Sequence, residues 1–198
     1  MAYTLLTPKR SVFGAGALEA AQQDFAALGN KALIVTGNVV KKGEAFQKLT
    51  ALLEKIGVAY AVFSDIPSEP DDLMVDAGAA AYQAAGCDHL IGIGGGSPLD
   101  CAKAIAARLV LSGSVCAQAG KEIVAELPPF ALIPTTAGTG SEATRFTVIT
   151  DHASGAKLLL KGDALLPKLA VVDYTFTFSA SASLTAATGM DALTHAVE

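Results

Sequence analysis

Three short segments contain residues whose types and spacing could support chemistry. In the first, IGIGGGSPLDCAKAIA (91–106), an apolar run leads into three glycines, Gly94, Gly95 and Gly96, and then into a helix-like stretch. Glycines allow a tight turn with positive φ and let a ligand approach the backbone closely. A diphosphate there would meet free N–H groups at the positive end of a helix dipole. Because a plain strand-to-helix turn needs only one glycine, the run favours an anion-binding loop, although its spacing is neither G-x-G-x-x-G nor a P-loop.

The residues after the glycines predict how that helix begins. Ser97 is expected at the N-cap and Pro98 at the first helical position, where a missing amide donor costs nothing. Asp100 then stands at the third position, from which its carboxylate can bond back as in a capping box.

The second segment, PTTAGTGSEAT (134–144), places hydroxyl side chains at the end of another apolar run. Loops that leave neighbouring parallel strands meet at the carboxyl edge of a sheet, where ligands bind in open α/β folds. Hydroxyls at a strand end are also common turn formers, so the functional interpretation depends on both loops occurring together. The hydroxyl residues are Thr135, Thr136, Thr139, Ser141 and Thr144.

The third segment is GMDALTHAVE (189–198), in which Asp191 and His195 stand four residues apart and so on one face of a helix. A carboxylate and an imidazole at this spacing can share a divalent metal and supply two of its ligands. The alternative is a simple contact on a helix surface. His89 and His152 show no ligand pattern, so a metal site within this sequence would be incomplete.

The elements that must position these segments follow an α/β pattern, because apolar β-branched runs alternate with alanine-rich amphipathic stretches. We expect a Rossmann-like parallel sheet with helices on both faces, plus an antiparallel hairpin lying against the sheet, and then a helix that begins near Ser179. The predicted sheet strands are 31–37, 59–66, 89–96, 130–136 and 169–173, the hairpin strands 145–150 and 157–161, and the helices 43–56, 71–86 and 97–113.

Composition excludes several classes of protein. With 52% hydrophobic and 17% charged residues among 198, the sequence is too apolar for a disordered chain. A net charge of −5 with scattered basic residues gives no basic surface for nucleic acid or an anionic membrane. No uninterrupted apolar run reaches the about 18 residues of a membrane span. The three cysteines, Cys87, Cys101 and Cys116, have no C-x-x-C spacing, so we expect free thiols in a reducing cytoplasm.

Together, GGGSPLDCAK, PTTAGTGSEAT and GMDALTHAVE, in this order and spacing, resemble the iron-containing (group III) alcohol dehydrogenase family. FGAGAL, PSEPDDLMVDAG and TVITD extend the resemblance over nearly all of the chain. It implies a dinucleotide-binding α/β domain over 1–178 and an all-helical metal-binding domain, of which 179–198 is the opening helix and the remainder is truncated. It also implies a homodimer.

The resemblance further implies roles for individual residues. Asp191 and His195 match two ligands of a divalent iron, or of zinc in some members, and would act in catalysis through that metal. Two further histidine ligands have no counterpart here, so we expect this chain to bind cofactor but to lack turnover of a small alcohol or aldehyde. By the same resemblance the cofactor pyrophosphate would lie on Gly94, Gly95, Gly96 and Ser97, Asp100 would lie toward the nicotinamide ribose, and Thr135, Thr136, Thr139, Ser141, Thr144 and Lys157 would line the rest of the cleft.

Two departures from the family pattern matter. NAD-preferring members have an aspartate after the strand that reads KALIVT, whereas this chain has Gly37 and Asn38, with Lys41 and Lys42 nearby. Lacking a carboxylate that would repel a 2′-phosphate, the site favours NADP over NAD. The segment 173–189 also lacks the prolines of the family, which predicts an altered connection between domains. A non-catalytic nucleotide-binding module and a glycerol-dehydrogenase-type relative are the alternative functions.

Overall fold

The structure, a computed structural model, describes residues 2, 4–67 and 69–198. Ser68 of PSEPDDLMVDAG, together with Met1 and Tyr3 of the predicted 1–178 domain, lies outside the described residues. The strands are β1 (Arg10–Phe13), β2 (Lys31–Thr36), β3 (Ala59–Phe63), β4 (His89–Gly94), β5 (Phe130–Pro134), β6 (Phe146–Thr150), β7 (Lys157–Lys161) and β8 (Leu169–Val172). The helices are α1 (Ala17–Ala20), α2 (Gln22–Ala26), α3 (Glu44–Lys55), α4 (Asp72–Ala85), α5 (Gly96–Arg108) and α6 (Ala182–Val197).

Six strands form one parallel sheet in the order β1-β8-β5-β4-β2-β3. Every residue of β4 and β5 is buried, because helices cover both faces of the sheet. Leu33 and Val35 of β2 point into a core shared with α4 and α5, whereas Ile34 points into a core shared with α1, α2 and α3. The predicted α/β class, with a parallel sheet between two helical layers, is confirmed.

The predicted hairpin forms, but it lies elsewhere than expected. Strands β6 and β7 pair antiparallel as a separate two-stranded sheet, and β6 packs on α5 rather than directly on the main sheet. Ile149 and Leu160 of the hairpin are buried in the core that contains α5. The expectation of a hairpin against the sheet was therefore wrong, because α5 already covers that face.

Strand β1 was not predicted from the sequence. It is a four-residue edge strand that, among the described residues, pairs only with β8, and three of its residues are exposed. It therefore lacks the apolar run that identified the central strands. Helix α6 begins three residues later than expected, at Ala182, and the hydroxyl of its N-cap residue Ser181 accepts a hydrogen bond from the Leu184 amide at 3.2 Å. No residue of α6 is buried.

None of the helices in the described part of the chain is both long and apolar enough to span a bilayer.

Candidate functional site

The strand order reverses between β2 and β4. From β2 the chain goes outward to β3 and then returns to the other side of β2 as β4. Helix α3 follows β2 on one face of the sheet, and α5 follows β4 on the opposite face. The carboxyl ends of β2 and β4 therefore border a crevice of the kind in which open α/β sheets bind ligands.

The glycine loop, residues 94–97, leaves β4 into this crevice. Gly94 has φ 147°, and a Cβ atom there would lie 2.8 Å from Pro98 Cγ. Gly95 has φ −73°, and a Cβ there would meet Thr136 only at an ordinary 3.6 Å. Of the three glycines for which a positive φ was expected, only Gly94 has one.

Helix α5 begins earlier than the sequence predicts. Gly95 is its N-cap residue and Gly96 its first helical residue, so Ser97 and Pro98 lie within the first turn. The predicted Ser97 cap and Asp100 capping box are wrong, because the carboxylate of Asp100 accepts hydrogen bonds from Ser141 Oγ at 2.6 Å and from the Val148 amide at 3.1 Å instead. No side chain caps the helix, which leaves amides of its first turn available to an anion.

The hydroxyl loop, residues 135–144, runs beside the glycine loop. The Thr135 amide donates to the Gly94 carbonyl at 2.8 Å, and a Cβ atom at Gly96 would lie 2.9 Å from Thr139 Cγ2. Ser141 is buried, and its amide donates to Thr139 Oγ1 at 3.3 Å. The two loops that the sequence singled out are therefore in contact at the carboxyl edge of the sheet.

Asp100 joins α5 to the hydroxyl loop through its bond from Ser141. Burial raises the pKa of Asp100, while the bonds from Ser141 and Val148 oppose that rise. Its backbone carbonyl also accepts a hydrogen bond from Thr147 Oγ1 at 2.9 Å. The carboxylate thus has protein partners on both oxygens.

Lys103 was not identified as a site residue from the sequence. Its side chain is fully buried, and its Nζ donates to the Thr144 carbonyl at 2.7 Å, the Phe146 carbonyl at 2.8 Å and Thr144 Oγ1 at 3.2 Å. Burial lowers the pKa of Lys103 to about 8, although Asp100 and Glu142 raise it. A single cation within the otherwise apolar 101–107 stretch was the available signal.

Helix α6 brings the third segment to the same edge. A Cβ atom at Gly138 of the hydroxyl loop would lie 3.0 Å from Asp191 Oδ2, and Asp191 Oδ1 lies 3.7 Å from His195 Nε2. Ligand bonds of about 2.0–2.2 Å to a tetrahedral ion place its ligand atoms about 3.4 Å apart, so the pair fits two positions of such a site. Within the described residues, the pair has no third His, Cys, Asp or Glu beside it.

A cleft of about 320 Å³ opens at this edge between the start of α3 and residues 175–179. Val39 and Val40 form one wall, Phe178 lies on the other, and Lys48 and Thr135 add polar atoms. The Thr36 hydroxyl, at the nearby end of β2, is buried without a hydrogen-bond partner among the described residues. An open apolar slot with polar atoms is a common form of small-molecule site.

The remaining predicted residues lie outside the contact between the glycine loop and the hydroxyl loop. Gly37 follows β2, and a Cβ atom there would meet only Pro98 Cγ, at 4.0 Å, with Asn38 next in the chain. The Nζ of Lys41 donates to Ser64 Oγ at 3.1 Å. Lys157 lies at the start of β7, where its Nζ donates to Glu69 Oε1 at 2.8 Å. The described contact of Lys157 thus joins the hairpin to the segment that precedes α4.

A second group of polar residues joins the hairpin turn to α4. The His152 amide donates to Asp72 Oδ1 at 2.9 Å, and His152 Nδ1 lies 2.9 Å from both carboxylate oxygens. The bond to Asp72 raises the pKa of His152. Burial opposes ionisation of Asp72, yet the bonds from His152 lower its pKa overall. Asp151 lies close to this pair, which acts as a tie between the hairpin and α4.

Comparison with known proteins places this geometry in context. The profile of one family, iron-containing alcohol dehydrogenase, matches residues 8–174. The chain is 36% identical over 200 residues to 1,3-propanediol dehydrogenase of Klebsiella pneumoniae, and the aligned region covers 99% of this chain and 52% of that protein. It is 36% identical over 193 residues to NAD-dependent methanol dehydrogenase of Bacillus methanolicus, with 96% and 51% covered.

Solved structures agree with these matches. A structure of 1,3-propanediol oxidoreductase matches with a TM-score of 0.96 and 36% identity over 100% of this chain and 52% of that one. Sulfoacetaldehyde reductase from Bifidobacterium kashiwanohense, solved in complex with NAD+, matches with a TM-score of 0.88 and 32% identity over 100% and 53%. The chain therefore spans about half the length of the relatives it matches.

Proposed function

Because the chain belongs to the iron-containing alcohol dehydrogenase family, we propose that it forms the cofactor-binding part of an oxidoreductase that transfers hydride between a nicotinamide and a small alcohol or aldehyde. One observation carries the proposal. Helix α5 begins within the three glycines, without a side-chain cap, at the point where the strand order reverses, and the hydroxyl loop contacts it there. This is an anion site built into a ligand-binding crevice.

In this proposal the pyrophosphate of the dinucleotide lies on Gly95, Gly96 and Ser97. The missing side chain at Gly95 leaves backbone open to the ligand, whereas Gly94 and Gly96 are closely packed against Pro98 and Thr139.

The orientation of the dinucleotide follows from the position of α6. Asp191 and His195 adjoin the hydroxyl loop, so we assign the nicotinamide to that side. The adenosine half then extends toward Gly37 and into the cleft between Val40 and Phe178. Thr135, which lines that cleft, and Thr139, which touches the glycine loop, lie along this path.

We further propose that Asp191 and His195 hold a divalent iron or zinc ion together with ligands that this chain does not contain. Such an ion, when bound, polarises the substrate oxygen and so promotes hydride transfer to or from the nicotinamide. The observation that the pair has no third ligand among the described residues, with both side chains half exposed, supports an incomplete site. On this proposal residues 179–198 open a second, helical domain, and the chain alone binds cofactor without turnover.

We also propose a cofactor preference, a cellular location and an oligomeric state for this protein. The absence of a carboxylate at Gly37 and Asn38 supports a preference for NADP over NAD. The unpaired thiols of Cys87, Cys101 and Cys116 support a cytoplasmic location. The exposed Phe13 side chain on the edge strand β1 supports a homodimer.

Calorimetric titration tests this function independently of turnover. The purified chain is titrated with NADP and then with NAD, each with and without ferrous or zinc ion. We expect saturable binding that needs no metal, with the tighter binding for NADP. Binding of neither cofactor would overturn the assignment of the crevice, and metal-dependent dehydrogenase turnover by the chain alone would overturn the incomplete metal site.

A further inference from the structure

Lys103 is a fully buried lysine whose hydrogen bonds go to Thr144 and Phe146. It is a buried cation on α5, and its ammonium group forms no salt bridge in the described part of the chain. A buried charge is costly unless its hydrogen-bonding capacity is satisfied. All three N–H donors are used, two on backbone carbonyls and one on a hydroxyl.

The acceptors of these bonds all belong to one stretch of chain. Thr144 ends the hydroxyl loop and Phe146 begins β6, so Lys103 fixes the point where the loop passes into the hairpin. One turn earlier on α5, Asp100 binds Ser141 and Val148 in the same stretch. The helix that starts at the glycine loop thus also anchors the far end of the hydroxyl loop.

Resting on the proposed function, we propose that Lys103 is a positioning residue that sets the hydroxyl loop against the glycine loop before the dinucleotide binds. The contact between Gly96 and Thr139 shows how tightly the two loops are matched. If the bonds at Thr144 are lost, the loop is free to move away from Gly96, and the cleft no longer has one defined width.

The charge of Lys103 strengthens this anchoring. Hydrogen bonds from a charged donor are roughly twice as strong as those from a neutral one. The charged groups that face it are Asp100 on α5 and Glu142 on the hydroxyl loop, and both favour the ammonium form. Because burial brings the pKa of Lys103 to about 8, cofactor affinity should fall severalfold as the pH rises from about 7 to about 9.5.

The test compares Lys103→Met with Lys121→Met. Lys121 is exposed, and its Nζ donates to a single carbonyl, that of Ala117, at 2.9 Å, so it matches the chemistry of the substitution without the anchoring. In Lys103→Met we expect faster hydrogen exchange at the Ala143 and Thr144 amides, at least about tenfold weaker binding of NADP or NAD, and loss of the pH dependence. Lys121→Met should behave as the wild type in all three respects.

Unchanged exchange and unchanged affinity in a folded Lys103→Met would overturn the inference. If that variant does not fold, Thr144→Val, which removes the hydroxyl acceptor of Lys103 Nζ, is compared with the wild type, and unchanged exchange at the Ala143 amide together with unchanged cofactor affinity would overturn the inference. Failure of the wild type to bind either cofactor at pH 7 would instead overturn the proposed function, and the exchange rates would still report whether Lys103 orders the loop.

Discussion

Gly96 lies so close to Thr139 that a Cβ atom on the glycine would be 2.9 Å from Thr139 Cγ2. The glycine loop and the hydroxyl loop therefore form one surface. A Cβ atom at Gly94 would likewise lie 2.8 Å from Pro98 Cγ, whereas a Cβ atom at Gly95 would come no closer than 3.6 Å to Thr136. Two of the three glycines thus serve packing, and Gly95 is the one whose open backbone serves a ligand.

Gly95→Ala should separate binding from stability. Its Cβ fits the protein but occupies the approach to the first-turn amides, so we expect at least about tenfold weaker cofactor binding. The free energy of unfolding should fall by at most about 1 kcal/mol, since alanine is a poorer N-cap residue than glycine. Calorimetric titration and thermal unfolding measure the two effects.

The matched control is Gly189→Ala on α6, where the added Cβ meets nothing within 4 Å. It should leave cofactor affinity unchanged and stabilise the helix by roughly 0.5–1 kcal/mol. Wild-type affinity in Gly95→Ala would show that the ligand does not approach the backbone there.

The sequence predicted the central elements because their signal is local. The apolar runs of β2, β4 and β5 are buried on both faces as expected, and the spacing of Asp191 and His195 did place them side by side. The partners of Asp100 and Lys103 could not be predicted, because they lie about forty residues along the chain. The start of α5 was missed for the same reason, since tertiary bonds to Asp100 compete with the local capping pattern.

Gly37→Asp should change the choice of cofactor. A side chain at this position meets only Pro98, at 4.0 Å, so the substitution can be accommodated. The new carboxylate would repel a 2′-phosphate and accept a hydrogen bond from a 2′-hydroxyl. We expect the ratio of NAD affinity to NADP affinity to rise by roughly tenfold or more.

Gly37→Asn is the control for this change, because it adds a side chain of nearly the same size without the charge. If both variants shift the ratio equally, size rather than charge governs the choice. An unchanged ratio in Gly37→Asp would place the 2′ position of the ribose elsewhere.

The pair of His152 and Asp72 should make stability depend on pH. The pKa of His152 is raised by Asp72, so its contribution is present below the ordinary histidine pKa of about 6.5 and is lost as the pH rises through the raised value. The pKa of Asp72 is lowered, so its contribution is present above the ordinary aspartate value and is lost as the pH falls through the lowered one.

The measurement is the difference in Tm between the wild type and His152→Gln from pH 3 to pH 8. We expect this difference to be largest at weakly acidic pH and to shrink toward both ends of the range. In the Asp72→Asn background, His152→Gln should no longer produce a pH-dependent difference in Tm, since the carboxylate partner of His152 is absent. A difference that stays constant with pH would contradict the ion pair.

The apolar stripe of α6 should drive self-association of this chain. Met190, Leu193 and Val197 are 61%, 54% and 78% exposed and lie on one side of the helix at spacings of three and four residues. Contiguous exposed apolar side chains favour association. We expect the wild-type chain to bind a hydrophobic dye and to elute above monomer size at high concentration. The triple variant Met190→Gln, Leu193→Gln, Val197→Thr should lose much of both properties. It should keep its unfolding transition, because no residue of α6 is buried. Val124→Thr, which alters an isolated exposed valine, should change neither, and a clean wild-type monomer without dye binding would refute the role of the stripe.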